Sequence, residues 1–117
     1  MEETNGILLL MSDFDYQQLD EVIHSRIRLA IMAALLSVDE AEFTFLRDTV
    51  KSTDGNLSIQ LRKLEEAGYV STTKSFVSRK PVTRSRLTAK GHKAFELYVR
   101  KIEEFLKQGV QIEKKTR

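Results

Sequence analysis

The alternation of apolar and polar positions predicts three helices before residue 68. A loose helical stripe over 13–23 indicates the first, and a clearer one begins after His24 and Ser25. This second helix has the apolar spacing of one buried face: Ile27, Ala30, Ile31, Ala34 and Leu35. A shorter apolar element over 43–50 is predicted to begin as a brief strand and to continue as a helix of about two turns.

The third helix is predicted over 54–67. Its apolar residues lie on one face at helical spacing: Leu57, Leu61 and Leu64. Thr53 or Asp54 is a suitable N-cap, because the side-chain oxygen of either residue can accept from amides of the first turn. Gly68 stands where a helix commonly ends in a left-handed residue.

After Gly68 the apolar period changes from helical to two, which predicts a β-hairpin over 69–87. Its strands run over 69–76 and 82–87, and the turn between them is predicted over 78–81, with Pro81 stiffening it. Thr88 then caps a long helix that extends to about residue 107. The remaining residues, 108–117, are predicted to form a basic, frayed tail.

Length and composition favour one domain of α+β class. At 117 residues the chain can bury a single core. It contains no cysteine, which excludes a disulfide scaffold and a thiolate zinc site. Its longest apolar stretch, 30–36, falls far below the roughly 20 residues that a membrane span needs. The extension over 1–14 has no basic signal region, so we expect a cytoplasmic protein.

The charges divide the chain into two unlike halves. Residues 1–50 carry ten acidic side chains and three arginines, a net charge of −7, whereas residues 51–117 carry a net charge of +9. Between Glu66 and Glu96 there are 29 residues without an acid and with seven lysines and arginines. Such asymmetry indicates a polyanionic partner, although a solvated surface with clustered charges is the plainer alternative.

A helix pair followed by a basic hairpin is the order of a winged helix-turn-helix. Five short motifs make the similarity specific: HSRIRLAI at 24–31, FTFLR at 43–47, TDGNLS at 53–58, LRKLEEAGYV at 61–70 and RLTAKG at 86–91. Over about 15–107 the chain resembles the small winged-helix transcriptional regulators of bacteria and archaea that are related to the MarR and ArsR groups. The resemblance implies a mainly α fold with a small hairpin and flanking terminal helices, and a homodimeric, sequence-specific regulator of double-stranded DNA, expected to act as a repressor.

The face of the 54–67 helix opposite its leucines is predicted to read DNA in the major groove. Asn56 and Gln60 have amides suited to adenine, and Ile59 can contact a thymine methyl group. Other polar side chains of this helix could equally hold phosphate, or could be exposed without a partner. The candidates are Asp54, Asn56, Ser58, Ile59, Gln60, Arg62 and Lys63.

The hairpin is predicted to act as a basic wing. Arg79 and Lys80 at its tip are candidates for minor-groove or phosphate contacts, and Lys74, Arg84 and Arg86 are candidates for phosphate contacts from the strands. Lysine and arginine also blunt exposed sheet edges and keep a hairpin soluble. That alternative does not explain why no acid is interspersed among them.

Surplus apolar surface predicts a dimer interface built mainly from the last helix, which carries more apolar residues than a small core can cover. The candidates are Phe14, Leu19, Phe95, Tyr98, Val99, Ile102, Phe105 and Leu106. The alternative is that this helix folds back over its own domain. The segment over 7–11 is also too apolar for a free tail.

No cofactor, metal or small-molecule effector is indicated by the sequence. His24 and His92 are its two histidines, they stand far apart in the chain, and a lone histidine is more often a cap or core partner than a ligand. The sequence contains no phosphate-binding glycine loop and none of the common hydrolase motifs, so no enzyme is expected. A winged helix that binds another protein, and not DNA, is the alternative function.

Overall fold

The computed structural model describes residues 15–116, with side chains over 15–109, and the fold is of the predicted α+β class. Four α-helices and a three-stranded antiparallel sheet occur in this part of the chain: α1 (Arg26–Leu36), β1 (Ala41–Glu42), α2 (Phe43–Thr49), α3 (Asp54–Glu66), β2 (Val70–Val77), β3 (Lys80–Leu87) and α4 (Ala89–Thr116). The strand order in the sheet is β1-β3-β2. None of the helices described has the length and apolar character needed to cross a membrane.

The helix predicted over 13–23 is wrong for the part that is described. Tyr16–Gln18 forms a single 3₁₀ turn, and residues 13 and 14 lie outside the described range. The carboxylate of Asp20 accepts from the amides of Val22 and Ile23 at 2.9 and 3.2 Å. An aspartate that bonds to nearby amides competes with the helical ladder, and here a local turn replaces the helix.

The core lies between α1, α3 and the sheet. The second predicted helix is confirmed as α1, with Ser25 as its N-cap, and three of its residues are buried: Ile31, Met32 and Leu35. The leucine face predicted for α3 is also confirmed, since Leu57, Leu61 and Leu64 are buried in the same cluster. Full burial of such side chains contributes about 1.5–3 kcal/mol each, and this packing fixes how α3 is presented.

A helix-turn-helix is formed by α2 and α3. The brief strand predicted at the start of 43–50 occurs slightly earlier, as β1, which pairs Ala41 with Ser85. Lys51 has a left-handed backbone with φ 55° and ends α2. Thr53 caps α3 by accepting from the amide of Asn56 at 3.2 Å. The reversal between the two helices is therefore specified locally.

The hairpin turn is shorter than predicted. The strand register runs from Val70 opposite Leu87 to Val77 opposite Lys80, which leaves a two-residue loop. Ser78 and Arg79 in that loop have φ values of 50° and 68°, as a type I′ turn requires. Pro81 consequently lies in β3, so the prediction that it stiffens the turn is wrong. It occupies a stretch of β3 that β1 does not cover, where a missing N–H is tolerated.

The start of α4 is fixed against the loop that follows α3. Thr88 caps the helix as predicted, since its hydroxyl accepts from the amide of Gly91 at 3.0 Å and donates to the carbonyl of Gly68 at 2.6 Å. The amide of Thr88 donates to the carbonyl of Tyr69 at 3.0 Å. The helix continues to Thr116, past the predicted end near 107, because the glutamine, glutamate and lysine residues there are good helix formers.

Tyr69 ties this junction to the N-terminal turn, since its hydroxyl donates to the carboxylate of Asp20. Burial, together with this hydrogen bond and the charge of Asp20, raises the pKa of Tyr69 to about 12. The folded protein thus holds the phenolic proton more tightly than the unfolded chain, whose tyrosine pKa is about 10. The stability contributed by this proton is present below pH 10 and is lost as the pH rises from about 10 to about 12.

We therefore expect the stability difference between the wild type and Tyr69→Phe to shrink in alkali. Near pH 8 the variant should be less stable by about 1 kcal/mol, because it lacks the hydrogen bond to Asp20. Urea unfolding at pH 8 and pH 11 measures the difference, and the comparison cancels the titration of the lysines. A difference that stays constant or grows with pH contradicts this account of Tyr69.

Candidate nucleic-acid interface

The solvent-facing side of α3 carries most of the predicted reading residues. Exposed side chains on this helix include Asn56, Ser58, Ile59, Arg62 and Lys63. The isoleucine is 54% exposed although it is large and apolar, so it adds little to the core. A helix that shows amides, a hydroxyl, cations and one methyl-rich group to solvent has the chemistry needed to contact base edges and phosphates.

Gln60 is not a freely exposed member of this face. It is half-buried, and its side-chain carbonyl accepts from the guanidinium of Arg28 in α1 at 2.6 Å. Its amide group donates to the side-chain oxygen of Asn56 at 3.1 Å. Arg28 is itself anchored, because its Nε donates to the carbonyl of Val22 at 2.5 Å. Sequence reasoning missed Arg28, and the one available signal was an arginine within the otherwise apolar stripe of α1.

This chain of hydrogen bonds orients the amide of Asn56. Its oxygen is directed toward Gln60, and its NH₂ group is left to donate outward. Such an NH₂ group suits a major-groove acceptor, such as a purine N7 or a thymine O4. Gln60 therefore links Arg28 to Asn56, and of these two amide side chains Asn56 is the exposed one.

Asp54, at the first position of α3, is held by Arg47 of α2. The guanidinium of Arg47 lies 2.9 Å from the carboxylates of both Asp48 and Asp54. The hydrogen bond to Asp48 and, to a smaller extent, the one to Asp54 raise the pKa of Arg47 above its usual value. Both acids are well exposed, so the pair with Asp54 links α2 to α3 without a large gain in stability.

A groove of about 380 Å³ separates α3 from the hairpin. Its walls come from the first residue of α2, from α3 and from one face of the two strands: Phe43, Ser58, Leu61, Arg62, Glu65, Thr72, Lys74 and Thr83. Two predicted candidates from α3 and one from the wing are thus brought to one surface. The hairpin and α3 thus line the same groove, so that one ligand can contact both.

The cations of the wing are not equivalent. Lys74, Arg79, Lys80 and Arg86 are exposed. Arg84 is half-buried, and its guanidinium lies 3.7 Å from Glu40 and 3.4 Å from Glu42. The stretch without acids in the sequence therefore has acids beside it in the fold, because β1 and the residue before it place two glutamates near one of its arginines. Arg79 and Lys80 are the exposed cations nearest the hairpin tip.

The predicted dimer residues divide into a packed group and an exposed group. Tyr98 is 7% exposed, and Leu19, Phe95 and Ile102 are half-buried against the same core. Burial raises the pKa of Tyr98, whose hydroxyl is hydrogen-bonded to Nδ1 of His24 at 2.7 Å. His24 is thus a partner within the fold, as expected for a lone histidine.

The exposed group lies on the last turns of α4 that have described side chains. Val99, Phe105 and Leu106 are 37%, 47% and 59% exposed. They lie on the same side of the helix as Ile102. Phe14 lies outside the described residues. Among those described, no group of three or more histidine, aspartate or glutamate side chains is arranged to hold a metal ion.

Comparison with known proteins agrees with this geometry. Residues 27–106 match the profile of a family described as winged helix DNA-binding domain. An uncharacterized protein of Methanocaldococcus jannaschii is 38% identical over 82 residues, which cover 70% of this chain and 89% of that protein. A transcriptional regulator homologue from Pyrococcus horikoshii superimposes with a TM-score of 0.71 at 26% identity, over 92% of this chain and 96% of the other.

A MarR-family transcriptional regulator from Silicibacter pomeroyi shares the fold more distantly. Its TM-score is 0.54 at 16% identity, over 95% of this chain and 66% of the other.

Proposed function

Because the chain belongs to the winged helix DNA-binding domain family, we propose that it is a sequence-specific regulator of transcription that binds double-stranded DNA as a homodimer. In this proposal α3 enters the major groove and the hairpin follows the backbone into the minor groove. The protein acts without catalysis in the cytoplasm, and it represses by occupying its operator.

The observation that carries the proposal is the shared surface of α3 and the hairpin. Ser58 and Arg62 from the helix and Lys74 from the wing line one groove, and Arg79 and Lys80 extend the positive charge past its end. Phosphate contacts supply affinity, whereas Asn56 and Ile59 are placed to choose among base pairs. A module that binds only proteins has no need for this charge.

The backbone of the wing tip supports the same function. Ser78 and Arg79 adopt left-handed conformations, in which a residue other than glycine costs about 1 kcal/mol. Glycine or asparagine would form this turn more cheaply. A long cationic side chain is retained at the apex in spite of that cost, as a tip that contacts polyanionic DNA requires.

Replacing both Arg79 and Lys80 by alanine is expected to weaken the salt dependence of binding to duplex DNA. The slope of log K against log salt should become shallower by about 1–2, because one or two phosphate contacts are lost. The control is Ser78→Gly, which relieves the same turn without removing a charge. It should leave the salt slope unchanged and stabilise the fold by about 1 kcal/mol. Fluorescence anisotropy at several salt concentrations measures both slopes. Equal slopes for the double variant and the wild type contradict a wing on phosphates.

The proposed sequence specificity is tested by selecting preferred duplexes from a random pool. We expect an enriched site with two related halves about one helical turn apart, as two copies of α3 in one dimer demand. An unselected pool after several rounds, or no binding at low salt, contradicts the proposal and favours a winged helix that binds another protein.

A further inference from the structure

The wing tip carries an apolar pair that neither the core nor charge contacts explain. Phe76 is 77% exposed, the highest value among the large hydrophobic side chains described. The residue directly across from it in β3 is Pro81, which is also exposed. An exposed aromatic beside an exposed proline forms a small apolar wedge, and such surface in a folded protein usually marks a contact.

Strand register places this pair on the face of the hairpin that looks toward the groove. Side chains two residues apart in a strand share a face, so Phe76 lies on the same side as Thr72 and Lys74. Thr72, Lys74 and Thr83 line the groove beside α3. The pair Phe76 and Pro81 is the next one outward from Lys74 and Thr83, about 7 Å further along the strands. The wedge thus extends the proposed DNA-facing surface.

The charges around the wedge select its partner. Lys74 lies on the face of the wedge, Arg79 follows in the turn and Lys80 lies beside Pro81 on the opposite face, and all three cations are exposed. The nearest acids of the sheet, Glu40 and Glu42, are engaged with Arg84 nearer the other end of the hairpin. A second copy of this tip would be repelled by the same cations, whereas a polyanion with an apolar interior would be attracted.

We propose that Phe76, backed by Pro81, inserts from the minor groove between two base pairs of the bound DNA. The inference rests on the proposed function and adds a contact to it. Apolar side chains placed between base steps unstack them and bend the duplex. Opening a step costs free energy and is easiest at pyrimidine–purine steps. The wing then contributes sequence preference at such a step, outside the bases that α3 reads.

The tight turn prepares the hairpin for this role. A two-residue loop and a ladder that is continuous to Val77 and Lys80 hold the two strands in one register up to the tip. Phe76 is thereby presented by a strand and not by a long flexible loop. A side chain already held in place loses less freedom when it enters the DNA.

The test compares Phe76→Ala with Val77→Ala on a selected duplex that carries 2-aminopurine at the step facing the wing. Val77 is the adjacent apolar residue, 48% exposed, and the strand period places it on the opposite face. The wild type and Val77→Ala should raise 2-aminopurine fluorescence and bend the duplex in an energy-transfer assay. Phe76→Ala should abolish both signals and weaken binding about five- to ten-fold. Its salt slope should not change, because no charge is removed.

Three results with the variants overturn the wedge, and two with the wild type do so as well. The first is unchanged fluorescence and bending with Phe76→Ala, and the second is an equal loss with Val77→Ala. The third is a change in oligomeric state with Phe76→Ala while DNA distortion stays intact, which assigns the pair to a contact between protein copies. A wild type that binds DNA without distorting it contradicts the wedge alone. A wild type that binds no duplex contradicts the proposed function, and the wedge with it.

Discussion

Replacing Gly91 by alanine is expected to lower the free energy of unfolding by about 3 kcal/mol, in spite of the higher helix propensity of alanine. A Cβ atom at this position would lie 2.2 Å from the carbonyl oxygen of Tyr69, a distance that requires the backbone to move. That carbonyl already accepts from the amide of Thr88. The substitution therefore separates α4 from the loop that precedes the hairpin.

The matched control is Gly109→Ala in the same helix. A Cβ at Gly109 meets nothing within 4 Å, so this variant should be more stable than the wild type by about 0.5–1 kcal/mol. Urea unfolding followed by circular dichroism gives both values. If Gly91→Ala is as stable as Gly109→Ala, the contact between α4 and Tyr69 does not hold the junction.

Replacing Leu106 by aspartate is expected to convert the proposed dimer to a monomer. Leu106 is 59% exposed on the apolar face of α4. An aspartate there should destabilise the proposed interface and leave the core of the domain intact. Since two linked reading helices bind far more tightly than one, affinity for a two-half site should fall about 100-fold or more. Sedimentation should shift toward the 13.5 kDa mass of one chain.

The control for this variant is Leu97→Asp. Leu97 is 49% exposed but lies on the other side of α4, about 180° from Leu106. It should keep the dimer and its affinity. A wild type that sediments as a monomer at micromolar concentration contradicts the interface, as does a dimer that survives Leu106→Asp.

Local signals in the sequence account for much of the fold. The leucine spacing of α3, its Thr53 cap and the Gly68 stop all lie within residues 53–68, and the helix forms as predicted. The same reasoning failed at 15–23, where the apolar spacing is helical but the side chain of Asp20 bonds to nearby amides. The spacing of apolar residues does not show whether a side chain competes with the backbone hydrogen bonds of a helix.

Contacts between distant residues account for what the sequence did not predict. The hydrogen bond from Arg28 to Gln60 joins residues 32 positions apart, and it engages one of the two amide side chains that the sequence offered as candidate readers. The glutamates that engage Arg84 come from a strand of two residues and from the residue before it, and a periodic pattern cannot detect so short an element. Residue types in the sequence indicated a candidate DNA-binding surface. Which of its side chains are exposed and which are engaged within the protein depends on packing.

The central claim is that α3 and the basic wing together bind duplex DNA and choose among sequences. The most direct measurement is the affinity of the wild-type protein for its selected duplex and for a scrambled duplex of equal length, across a series of salt concentrations. We expect log K to fall linearly with log salt for both duplexes, and the selected one to bind about 10³-fold more tightly. Equal affinity for the two duplexes, or affinity independent of salt, would contradict the claim.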